Sequence, residues 1–100
     1  MFNKLKQFKD LRNQAKTLQN ALKEEKVELE KGGIKIIMDG NQEVISFEII
    51  DSGLLSPDRK QDLENKLREA TNTTIEKTKK VMAEKMQKMG GFEGLGLGGK

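Results

Sequence analysis

One hundred residues, 34% of them hydrophobic and 35% charged, make one domain with a thin core. The chain has neither cysteine nor histidine, which excludes disulfides, thiolate metal sites and Cys- or His-based catalysis. The net charge of +3 is unevenly spread. Residues 1–23 carry six positive charges (Lys4, Lys6, Lys9, Arg12, Lys16, Lys23) and one negative (Asp10). Residues 24–69 carry seven positive and twelve negative charges, and residues 70–100 carry six positive and three negative. Basic ends around an acidic middle point to an anionic partner, although solvated lysine-rich faces give the same composition. No run approaches 18 apolar residues, so no membrane helix is expected, and the N-terminus lacks the apolar stretch of a secretory signal.

In the first segment Phe8, Leu11, Ala15, Leu18 and Leu22 recur at spacings of three and four, which predicts an amphipathic helix. About two dozen residues without Pro or Gly make a rod of roughly 36 Å. The pattern fails at Glu25, where the period changes to two. "KVELEK" alternates Val27 and Leu29 with charges, Gly32-Gly33 form a turn, and "IKIIM" places Ile34, Ile36 and Met38 on one face. Asp39-Gly40 are expected to take positive φ in a hairpin turn. "EVISFEII" then places Ile45, Phe47 and Ile49 on one face, with Val44 and Ile50 opposite. Apolar residues on both faces predict a sheet covered on both sides.

"SPDRK" predicts the start of the last helix, with Ser56 as N-cap, Pro57 at the first position and Asp58 at the positive end of the dipole. Leu63, Leu67, Ala70, Thr74 and Ile75 give its apolar face, continued by Thr78, Met82, Met86 and Met89. It runs about 33 residues, or roughly 50 Å. Residues 90–100 hold six of the ten glycines and are expected to be a disordered tail behind a single domain of residues 1–89. The fold class is thus α+β, ordered helix, three-stranded antiparallel meander, long helix (αβββα). Strands of six to eight residues span roughly 20–27 Å, so both helices overhang the sheet. Their free apolar stripes predict a homodimer, with Ile34, Ile36, Met38, Ile45, Phe47 and Ile49 as candidate contacts.

No catalytic residues, metal or cofactor are expected. Ser46, Ser52 and Ser56 have no candidate base beside them, and Glu/Lys pairs read as solvated helix neighbours. Gly32-Gly33 precede a strand and lack the phosphate-loop pattern. Four scattered Phe residues make no base-stacking platform. The strongest functional signal is basic. If the helices lie antiparallel, Lys4, Lys6, Lys9, Arg12 and Lys16 stand near Lys77, Lys79, Lys80, Lys85 and Lys88. Two such tips on a dimer grip duplex phosphates while the acidic body repels them, with little base readout.

"GGIKIIMDG" (32–40) resembles the G-x-V-x-V-x-x-N-G strand and turn of the YbaB/EbfC family of nucleoid-associated DNA-binding proteins, with Asp39 in place of the usual Asn. "DSGLL" (51–55) resembles its I-D-x-x-L-L segment with one extra residue. Leu63, Glu64, Ala70 and Asn72 match its L-E-D-x-x-x-x-A-x-N helix. "EKM" (84–86), the Gly-Leu-rich tail and the Met/Phe start before a Lys/Gln-rich helix are similar too. The linker after the first strand is shorter than the family's. The resemblance implies a tweezer-shaped cytoplasmic homodimer that binds double-stranded DNA, sits on the nucleoid and affects gene expression, without a membrane or small-molecule substrate. It carries no residue-level DNA motif, so the candidate sites rest on charge placement. A helix–sheet–helix chain with heptad-like arms also looks like a prefoldin-type holdase, whose arm tips grip unfolded clients. Phe2, Leu5 and the three methionines keep that alternative open.

Overall fold

A computed structural model describes residues 2–89, with side chains from Lys6 onward. The predicted tail, residues 90–100, lies outside the described residues. Helix α1 spans Phe2–Lys23, and strands β1 (Lys26–Lys31), β2 (Ile34–Asp39) and β3 (Val44–Ile49) follow. Two short 3-10 turns, Ser52–Leu55 and Pro57–Arg59, lead into helix α2, Lys60–Lys88. The sheet is an antiparallel meander in the order β1-β2-β3.

Both hairpins depend on local backbone chemistry. Gly32 and Gly33 have φ of 62° and 87°, and Lys31 pairs with Ile34 across them. That is a two-residue turn whose two positive φ values favour glycine. At the second hairpin the positive φ falls on Gln42 (66°) and not on the predicted Asp39-Gly40. The side chain of Asp39 organises this turn, its Oδ1 accepting from the backbone N–H groups of Asn41 (2.9 Å) and Glu43 (3.1 Å). Gly40 is needed there for space: a Cβ at this position stands 2.6 Å from the Leu22 carbonyl oxygen.

Helix α2 lies across β1 and β2. Ile34, Ile36, Leu54 and Ala70 are fully buried, with Ile49, Leu63 and Leu67 packed around them. Each fully buried isoleucine contributes about 1.5–3 kcal/mol. Ala70, Thr74 and Thr78 recur every fourth residue and all three are buried, so a stripe of small side chains faces the sheet. The Thr74 and Thr78 hydroxyls donate to the carbonyls of Ala70 (2.7 Å) and Thr74 (2.8 Å), which leaves neither unsatisfied.

Four expectations change. The α-helix begins at Lys60 rather than at Ser56-Pro57 and has 29 residues. The Ser56 hydroxyl donates to the Asp58 carboxylate and caps no backbone N–H, so only a 3-10 turn forms there. The sheet is covered on one face. Its other face carries Glu28, Glu30, Lys35 and Glu48 around Ile37 and Ser46. A bulge between the Ile37–Ser46 and Met38–Val44 pairs shifts the alternation, so Val44 shares the α2 face with Phe47 and Ile49. Finally, Ile34, Ile36 and Met38 are buried within the chain and leave no surface for a partner.

Candidate nucleic-acid interface

The root of α1 is fixed and its outer half is free. Leu22 is buried and Leu18 half-buried, but residues 6–13 are all exposed, which is two full turns and therefore every face. The molecule measures 65 × 20 × 19 Å. Helix α2, at 29 residues, supplies about 44 Å of that length, so α1 extends beyond it as an arm.

Two stripes run along the arm. At about 100° per residue, Lys9, Arg12, Lys16 and Lys23 fall within about 60° of one another, along about 21 Å of helix. Phe8, Leu11, Ala15, Leu18 and Leu22 fall within about 80° on a neighbouring face. Among the described residues, none of the four basic side chains forms an ion pair or donates a hydrogen bond within the chain. All four are exposed. Lys6 is exposed too, off the main stripe, and the side chain of Lys4 lies outside the described residues. Phe8 is 67% exposed and Leu11 36%, so the outer part of the apolar stripe has no cover within the chain.

The α2 lysines are placed differently. Lys85 Nζ meets Glu25 Oε2 at 3.1 Å, and Lys77 Nζ donates to the Glu28 carbonyl at 3.1 Å. These contacts set the end of α2 beside the root of α1, not beside its tip. Lys79, Lys80 and Lys88 are exposed. The two predicted basic groups are therefore not adjacent. The arm presents an uncompensated row, whereas the α2 group is partly engaged with the acidic body. Elsewhere on the body two clusters of charge are paired. A hydrogen bond from Lys35 to Glu28, with their attraction, raises the lysine above its usual range. At the start of α2, Arg59 hydrogen-bonds Asp62 (2.6 Å) and holds that carboxyl below the usual range, with Lys66 adding a smaller effect.

A second open surface runs along β3, the strand that α2 leaves uncovered. Val44, Ile45 and Phe47 are 52%, 49% and 46% exposed, and Ile50 and Leu55 lie exposed just beyond the strand. Ile49 is half-buried. The neighbouring flank of α2 carries Ile75, Met82 and Met86, all half-buried, and the Gln42 amide donates to Met82 Sδ across the gap (3.7 Å). Of the six predicted dimer contacts, only Ile45 and Phe47 are open, with Ile49 at their margin. Sequence reasoning missed Lys23, which stands seven residues beyond Lys16 and so on the same face.

The profile of the YbaB/EbfC DNA-binding family matches residues 1–93. The chain belongs to this family. Its helix, three antiparallel strands and long helix are those that the hydrophobic periods and turn signals predicted. A nucleoid-associated protein of Caldicellulosiruptor saccharolyticus is 33% identical to it over 66 residues. The aligned stretch is 66% of this chain and 58% of that relative, so the chain spans less than two thirds of the relative's length.

Proposed function

We propose that this family member is a nucleoid-associated protein that binds duplex DNA as a homodimer, with little sequence preference, by gripping phosphates between its two α1 arms. The observation that carries this reading is the exposed, unpaired row of Lys9, Arg12, Lys16 and Lys23 on a helix whose outer turns are free on all sides. A row of cations without base-reading partners fits backbone contact and not base readout. The family description and the name of the relative support DNA as the partner. The uncovered β3 strip and the arm's apolar stripe supply the self-complementary surface of a two-fold dimer. In a cell such a protein shapes nucleoid DNA and affects gene expression without chemistry of its own.

A mobility shift of duplex DNA across a salt series tests this. Reversing Lys9, Arg12 and Lys16 together weakens binding to any sequence and flattens the log–log salt dependence by about 0.9 for each phosphate no longer neutralised. Both protomers carry the change, so the effect is doubled in a dimer. Reversing Lys31 and Lys35 on the body does much less. Loss of binding in the body variant but not in the arm variant overturns the arm mechanism. The exposed Phe8 favours a second reading, a holdase whose arms grip unfolded clients. Wild-type protein that leaves DNA unshifted at low salt yet suppresses client aggregation establishes that reading instead.

A further inference from the structure

The carbonyls at the end of α1 are taken up from outside the helix. Gly40 N–H donates to the Leu22 carbonyl at 2.9 Å, and Asn41 Nδ2 donates to the Gln19 carbonyl at 3.0 Å. Glu24 and Glu25 N–H groups reach the carbonyls of Ala21 and Leu22, and Lys26 Nζ reaches that of Lys23. The first two donors come from the β2–β3 turn, which is itself over-determined. Asp39 Oδ1 holds Asn41 and Glu43, Asp39 N–H bonds the Glu43 carbonyl, and Gln42 N–H bonds the Asp39 carbonyl. A rigid turn thus grips the last turn of a helix that has no cover over residues 6–13. The approach is close, since a Cβ on Gly40 stands 2.6 Å from the Leu22 oxygen and 3.0 Å from the Leu22 Cβ.

We infer that the Asp39–Glu43 turn is the clamp that sets the angle at which α1 leaves the body, and that Gly40 and Asn41 are positioning residues for the DNA grip. The inference rests on the arm being the DNA-binding surface. Leverage makes the clamp matter. Lys9 lies about 20 Å along the helix from Leu22, so a tilt of about 10° at the root moves it by about 3.5 Å. That is the full axial spacing of phosphates on one strand, about 3.4 Å. Neither Gly40 nor Asn41 carries charge or touches the basic stripe, so any effect on DNA passes through the direction of the arm. The uncovered stretch also depends on its attachment for order, because helices in proteins draw most of their stability from tertiary packing and residues 6–13 are exposed on every face.

The test uses two variants of the full chain. Asn41→Ala removes the amide donor without adding charge beside the basic stripe. Gly40→Ala forces the turn and helix apart. Duplex affinity is measured by mobility shift, and amide hydrogen exchange is followed in α1 (residues 14–22) and in β2. The clamp predicts affinity on the order of three- to tenfold weaker in each variant, the size of one hydrogen bond removed. It also predicts faster exchange in α1 with β2 unchanged. Wild-type affinity with unchanged α1 exchange overturns the inference. So does weakened affinity accompanied by an equal fall of protection in β2, which marks a merely structural role. If the wild-type protein leaves DNA unshifted, the DNA reading falls and the gripping role with it, and the α1 exchange alone decides the clamp.

Discussion

The two helices carry similar patterns and meet opposite fates. Both have an apolar stripe at spacings of three and four, and both exceed the sheet in length. Yet α2 buries its stripe on β1 and β2, and α1 leaves Phe8 and Leu11 in water. The difference lies in the size of the stripe residues and in the points of attachment. At the centre of α2, Ala70, Thr74 and Thr78 let the helix axis come close to the strands along several turns. The α1 stripe is bulkier, and the β2–β3 turn holds that helix by its last turn alone. Amphipathicity shows that a helix has a face to bury; where the chain anchors the helix decides whether its own domain buries it. In this protein the region that the fold leaves unpacked is the outer part of α1.

Substitutions at the two kinds of stripe sharpen the contrast. Ile36, fully buried under α2, loses about 2–5 kcal/mol of stability on truncation to Ala. For a domain of this size each kcal/mol lowers the melting temperature by about 4–8 °C, and thermal unfolding measures the drop. A fall of only a few degrees breaks the assignment of Ile36 to the protomer's own core. Phe8→Asp with Leu11→Asp has its main effect elsewhere. The protomer keeps its sheet and α2, while sedimentation at micromolar concentration moves from about twice the 11.3 kDa chain mass toward a single chain. If the variant remains dimeric, the arm stripe is not part of the dimer interface and the β3 strip alone carries it.

The smallest effect concerns acid. The Asp62 carboxyl is held low by Arg59, so the pair stabilises the fold at pH values above about 3.9, the carboxyl's unfolded value. That contribution disappears as pH falls through the lower folded value. Arg59→Ala removes it, so the variant and wild type differ at neutral pH and converge in strong acid, read by thermal unfolding across an acid series. Both side chains are substantially exposed, which keeps the difference small.

Much of this was legible in the residues. The change of period from 3.6 to two at Glu25 marks the end of α1, and Gly32-Gly33 mark the turn of the first hairpin, whose register only the strand pairing supplies. The start of α2 was not legible, because Ser56 and Pro57 satisfy helix-start rules while the Ser56 hydroxyl turns to Asp58 instead of the backbone. The exposed face of β3 was misread because one bulged residue reverses the alternation that a strict period of two assumes. Nor does any local pattern tell which strands a helix covers. That choice sent Ile34, Ile36 and Met38 inside and left Ile45 and Phe47 out. For the basic residues, helical spacing reveals the stripe on α1 but not its distance from Lys77 and Lys85, which the contacts with Glu28 and Glu25 set.

The bulge in β3 also bears on whether other chains can add strands to the sheet. A newly made protomer presents an open strand edge with Val44, Ile45 and Phe47 side by side, a template on which strands of other chains could stack without end. The extra residue at Ile45 bends and twists that edge, and Glu43 and Glu48 flank the apolar run with like charge. Growth by repeated strand addition needs a straight, uninterrupted ladder, and the kink interrupts it. The same irregularity that hides the exposed face from a strict alternation therefore makes this edge a poorer template for strand addition.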